Sequence, residues 1–108
     1  MKSSLTQYQL YDLIENANLD LHNLTDHQRL LICYAAEPGQ WIRATEMFLR
    51  GIDAVHTIPS DQVVTLQGIC QAYREHDNLT GRQQMYVSSR LIEHWAQLGV
   101  EMRATILY

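Results

Sequence analysis

The residues that could do chemistry in this chain are five histidines, two cysteines, twelve carboxylates and a basic set made almost entirely of arginine. His22, His27, His56, His76 and His94, with Cys33 and Cys70, prompt a search for metal ligation. No spacing that sets two ligands on one face occurs: C-x-x-C, H-x-x-x-H, H-E-x-x-H and Glu-x-x-His are all missing. Cys33 and Cys70 stand 37 positions apart and fit buried, reduced thiols better than zinc ligands or a disulfide. Even if the two met in the core with His27 or His76 nearby, packing explains such thiols more simply. No metal and no cofactor are expected.

Nucleophilic catalysis lacks its parts as well. Ser60 and the pair Ser88-Ser89 have no glycine-framed elbow, and neither cysteine has a signature histidine around it. No phosphate loop or dinucleotide turn is present. Asp53 and His56 share a loop with no further partner in view. The chain reads as a non-enzyme.

Binding is the chemistry that remains. Seven of the eight basic residues are Arg, whose planar fork suits carboxylates, phosphates and aromatic faces, and only Lys2 is Lys. Yet the net charge is −4, which gives no general attraction to nucleic acid or acidic membrane. The first ten residues lack the apolar stretch of a secretory signal, and the longest apolar run, Leu30 to Ala36, is too short to span a bilayer. A cytoplasmic chain with no membrane partner is the expectation.

The elements that must position these residues are helical. With 108 residues, 46% apolar, and only two prolines and five glycines, the chain has the makeup of one folded all-α domain, 1–108. Five helices are expected. The first runs from about Leu5 to Asn18, with Leu10, Leu13, Ile14 and Ala17 on one side and Tyr8 and Tyr11 at its margin. The second, about Asp26 to Glu37, is apolar nearly all round, the mark of a central buried helix. Pro38 and Gly39 should stop it. A short third helix covers Ala44 to Arg50, with Gly51 suited to a left-handed closing residue. The fourth, about Asp61 to Glu75, gathers Val63, Leu66, Ile69, Cys70 and Tyr73 into one arc of roughly 120°. The fifth runs from Gly81 to Leu98 and ends at Gly99. Residues 100–108 have strand-like composition and are expected as an extended arm. Gly68, inside the fourth helix, should mark close packing against a neighbour.

"NLTDHQ" at 23–28 and "NLTGRQ" at 78–83 stand 55 positions apart. Thr25 with Gln28, and Thr80 with Gln83, have the capping-box spacing: the Thr hydroxyl takes a first-turn amide and the Gln side chain returns to the Thr amide. Sliding 5–36 onto 60–91 gives seven identities in 32 positions, including Ile14 with Ile69 and Ala17 with Ala72. Two related helical hairpins would produce this. So would two unrelated helices sharing a common cap. The Asn-Leu-Thr triplets also match a glycosylation acceptor, which matters only in a secreted chain.

Two surfaces could carry binding. On the fifth helix, Arg82, Tyr86 and Arg90 recur every four residues opposite an apolar arc of Met85, Val87, Leu91, Ile92, Trp95 and Leu98. Such an Arg-Tyr-Arg stripe should be exposed and suits a protein hot spot or exposed nucleic-acid bases. The bland alternative is a solvated face with an Arg90–Glu93 pair. Separately, residues 30–51 followed by the 58–76 helix resemble a helix-turn-helix or winged-helix module. That resemblance would make Gln62, Thr65 and Gln67 the base-contacting residues. The sequence departs from it in a long turn, an Asp61 at the helix start and few positive residues. The expected function is therefore a non-catalytic interaction protein, an accessory subunit or inhibitor docking on a protein or nucleoprotein assembly. The alternative is a helix-turn-helix DNA-binding regulator.

Overall fold

The computed structural model describes residues 6–16, 23–51, 58–95 and 98–107. Among them lie six α-helices and no strand. They are α1 (Gln7–Tyr11), α2 (Asp26–Cys33), α3 (Pro38–Arg50), α4 (Ser60–His76), α5 (Gly81–Glu93) and α6 (Val100–Leu107). A single π-helical turn, Asp12–Asn16, continues α1. The all-α bundle expected from the sequence is the fold observed. Ala17, His22, Asp53 and His56 lie outside the described residues.

Both boxes in the repeated hexapeptides are present. The Thr25 amide donates to Gln28 Oε1 at 2.9 Å and the Gln28 amide to Thr25 Oγ1 at 3.1 Å. At the start of α5 the matching distances are 3.0 and 3.1 Å for Thr80 and Gln83. A third box opens α1, where the Thr6 amide donates to Gln9 Oε1 at 2.7 Å and the Gln9 amide to Thr6 Oγ1 at 3.2 Å. Each satisfies amides that a helix start leaves without partners. This box sits 19 positions before the one at Thr25, not 55, so boxes recur here without the repeat. Other positions match across the offset: Ile14 and Ile69 are both buried, as are Ile32 and Val87. Against that, Leu10 is fully buried while its counterpart Thr65 is exposed.

The central helix is α3 rather than α2. It packs against α4, α5 and α6, and buries Gln40, Trp41, Ile42, Ala44, Thr45 and Phe48. The apolar 30–36 run is less enclosed than its composition suggests: Ile32, Cys33 and Ala36 are buried, but Leu30, Leu31, Tyr34 and Ala35 only partly. The helix ends at Cys33 because Trp41 and Gln84 take its carbonyl, as described below, and the chain turns over Tyr34–Ala36. Pro38 then begins a helix instead of only stopping one. It is the first helical residue of α3, where its missing N–H has no cost and its fixed φ is already helical. The short third helix expected over Ala44–Arg50 is the second half of this longer one.

Three further corrections follow from local geometry. Gly51 is extended (φ −70°, ψ 135°), not left-handed. The left-handed residue is Asp77 at the end of α4 (φ 55°), whose amide reaches the Tyr73 carbonyl at 2.7 Å. Asp tolerates that conformation better than most side chains. Finally, α5 stops at Glu93, and the tail is a helix, not an extended arm. Its Ile106 is fully buried, and α6 lies against α3 and α1. Arg103 clasps it to the end of α5 by donating twice to the Trp95 carbonyl, at 2.9 and 3.2 Å, with its guanidinium 5.4 Å from the Trp95 ring. Among the described residues no helix is long and apolar enough to cross a membrane.

Candidate interaction surfaces

One buried junction fixes the helices that carry the candidate residues. The Cys33 carbonyl, left without an intrahelical partner at the end of α2, accepts from Trp41 Nε1 at 2.9 Å and Gln84 Nε2 at 3.0 Å. Three helices meet at this oxygen. The Cys33 thiol faces Ser88, its counterpart at the 55-residue offset, and burial pushes it above the ordinary thiol range against a smaller opposing effect of the Ser88 hydrogen bond. Sequence inspection missed this junction, because a Trp and a Gln at Trp41 and Gln84 have no spacing that announces a shared acceptor.

The junction sets the rotation of α5, which buries Gln84, Val87, Ser88, Leu91 and Ile92. On the other side lies the Arg82–Tyr86–Arg90 stripe, which divides unequally. Arg82 is exposed as expected. Tyr86 and Arg90 are half-buried, against the expectation of an open stripe. Tyr86 packs against the core, and the Arg90 guanidinium lies 5.2 Å from its ring. Arg90 also donates to Glu93 Oε1 at 2.7 Å, which confirms that pair, while its Nε is enclosed without a partner. The reason is that cation–π attraction and the Glu93 carboxylate together draw Arg90 down onto the helix.

On α4 the three residues of the helix-turn-helix resemblance do not share a face. At 100° per residue, Gln67 points well away from Gln62 and Thr65. Gln62 is half-buried with Oε1 enclosed and unpaired, and exposed Thr65 turns its hydroxyl back to the Asp61 carbonyl at 2.9 Å. Gln67 is exposed and lines a groove against α3. Arg74, the Arg of α4, forms a two-pronged pair with the Glu46 carboxylate of α3. That contact raises the Arg74 pKa further. Gly68 is exposed with open space where a Cβ would stand, so the expected close neighbour is not there.

The second thiol, Cys70, is buried beside the Arg74–Glu46 pair. Burial, reinforced by Glu46 and partly offset by Arg74, pushes it up to about 11. His27 and His76 are exposed, His76 lying 3.9 Å from the neighbouring Glu75. Among the described residues no three His, Cys, Asp or Glu side chains converge as metal ligands. The grooves along α3 and α4 were the second feature missed. Arg43 and Arg50 on α3 carry the signal, seven residues apart, but it is lost once the helix is thought to begin at Ala44.

Set against protein-family models, curated proteins and solved structures, the chain matches none.

Proposed function

We propose that the chain is a non-catalytic cytoplasmic interaction protein, an accessory subunit or inhibitor, that docks on a larger protein or nucleoprotein assembly through the outer face of α5. The observation that carries this reading is Arg82. Its guanidinium is exposed and has no hydrogen bond or ion pair with a described residue, one turn from a Tyr86 ring already held by Arg90. Arg and Tyr are the residue types that dominate interface hot spots. A ring held in place before contact loses little freedom on binding.

The helix-turn-helix regulator has less support. Of its three base-contacting candidates Gln67 points away from Gln62 and Thr65, and the Arg of α4 is engaged by Glu46. A DNA reader needs unengaged positive charge at the phosphates.

Affinity purification of the tagged chain, with and without nuclease, tests the two readings. A protein partner that survives nuclease and is lost in Arg82→Ala and Tyr86→Ala supports the proposal. Contacts that vanish with nuclease favour the regulator. Arg82→Ala itself should leave stability within about 0.5 kcal/mol, as exposed substitutions usually do.

A further inference from the structure

Two recesses open along α3 and α4. The wide end, at the start of α3 and the end of α4, is a recess of about 790 Å³ lined by Glu37, Pro38, Gly39, Arg43, Tyr73 and Asp77 among others. A second recess of about 430 Å³ lies between Glu46, Leu49 and Arg50 on α3 and Gln67, Cys70 and Gln71 on α4. The Arg74–Glu46 pair bridges the helices and borders that recess. Gly39 keeps the floor of the wide end open. A Cβ there would fall 3.0 Å from Tyr73 Oη and 3.4 Å from Arg43 Nη1.

Charges are ordered along this surface. Glu37 and Asp77, both exposed, stand at the wide end. Arg43 follows, then the mutually satisfied Glu46 and Arg74, then Arg50. Arg43 and Arg50 are exposed and have no hydrogen bond or ion pair with a described residue. Two helical turns separate them, roughly 10 Å along α3, and Glu37 to Arg50 spans roughly 20 Å.

We infer that the α3–α4 groove receives a peptide segment of a partner protein, acidic where it meets Arg43 and Arg50 and basic where it meets Glu37 and Asp77. The partner's chemistry follows from the charge order. A nucleic-acid strand carries the same negative charge at every step, so one that reached both arginines along the groove would run into two carboxylates at the wide end. A peptide places each sign separately, and matching potentials set register and exclude wrong partners. The lining, with Pro38 in the wide recess and Leu49 beside Gln67 and Gln71 in the second, accepts side chains of the same mixed kind. This site is separate from the α5 face and extends the interaction role to a second surface.

The test is selection of a random-peptide display library on the intact protein, followed by titration of an enriched peptide against variants. Enriched peptides should pair acidic residues with a basic one at a distance. Their affinity should fall at least about tenfold in Arg43→Glu with Arg50→Glu, since like charges then face each other. Arg82→Ala and Tyr86→Ala should leave it unchanged, so the groove and the α5 face fail independently. Amide shift mapping of the unaltered protein with the same peptide should confine the changes to α3 and α4, a readout that stands even if the double variant misfolds. No enrichment, peptides without this charge pattern, or shifts elsewhere would overturn the inference. So would binding of a short oligothymidylate that the double variant abolishes.

Discussion

The junction at the Cys33 carbonyl and the outer surface of α4 are built from similar groups, yet they do opposite work. At the junction an indole N–H and an amide N–H share one buried oxygen, and three helices are fixed to each other. Along α4, the Arg74–Glu46 pair has an exposed guanidinium, and Gly68 and Val64 face solvent with nothing packed on them. Polar contacts gain weight with burial, because breaking one inside leaves a desolvated group, whereas water replaces a lost partner outside. The core therefore tolerates little change and the α4 surface much.

The sharpest way to break that contrast is at Trp41. Trp41→Ala should destabilise the fold by about 3–5 kcal/mol, since it empties a fully buried position in the first turn of α3 and removes a donor at once. Trp41→Phe keeps most of the ring and should cost clearly less. Gln84→Ala should cost about 1–3 kcal/mol, the range for a buried hydrogen bond broken on one side. Urea denaturation measures all three. A loss at Trp41 no larger than at an exposed site would mean that the junction is not where α2, α3 and α5 are held.

Next in size come the caps. Thr25→Ala and Thr80→Ala should each cost about 1 kcal/mol, because a first-turn amide loses its acceptor and the returning Gln loses its counterpart. Thr6→Ala tests whether the third box is worth as much on a helix of one turn and a half. The same denaturation series ranks them, and Ser substitutions should restore most of each loss.

Cys70 brings the comparison to pH. A thiol ordinarily ionises near about 8.5, and in the fold Cys70 is held un-ionised up to about 11. Below the ordinary value it is protonated whether folded or unfolded, so its full contribution is present. As pH rises toward 11 the unfolded thiol ionises first, and stability must fall across that window. Cys70→Ala should show a shallower alkaline decline than the parent. Both thiols should also label slowly in the native protein, because the thiolate is the reactive form.

What the sequence revealed depended on the range of the interaction. Caps were legible because Thr and Gln three apart act on each other alone, as were helices whose apolar stripe is local. The start of α3 was not, since Pro38 stops one helix and opens another with the same dihedral preference. The tail was misread because Val100, Thr105 and Ile106 favour strands, and only the buried seat of Ile106 and the Arg103 clasp on Trp95 override that tendency. The α5 stripe shows the same limit at the candidate site. Spacing gave its face but not its depth, which the packing of Tyr86 on the core decides. The α3–α4 groove needed two helices to be correctly bounded before its charges lined up.

The smallest expected effect has the opposite sign and completes the contrast. Gly68 sits in the middle of a 17-residue helix, where glycine is worse than alanine by roughly 1 kcal/mol through lost backbone freedom. A glycine in the core can repay this by letting a neighbour approach, but here a Cβ would meet nothing within 4 Å. Nor is positive φ involved, since among the described residues no glycine adopts it. Gly68→Ala should therefore stabilise the isolated chain by about 0.4–1 kcal/mol, acting on the unfolded state as well as on the helix. Thermal and urea unfolding of the two proteins decide the matter. If the alanine variant is instead less stable, the surface of α4 is not as open as its geometry states, and its contrast with the Cys33 junction fails.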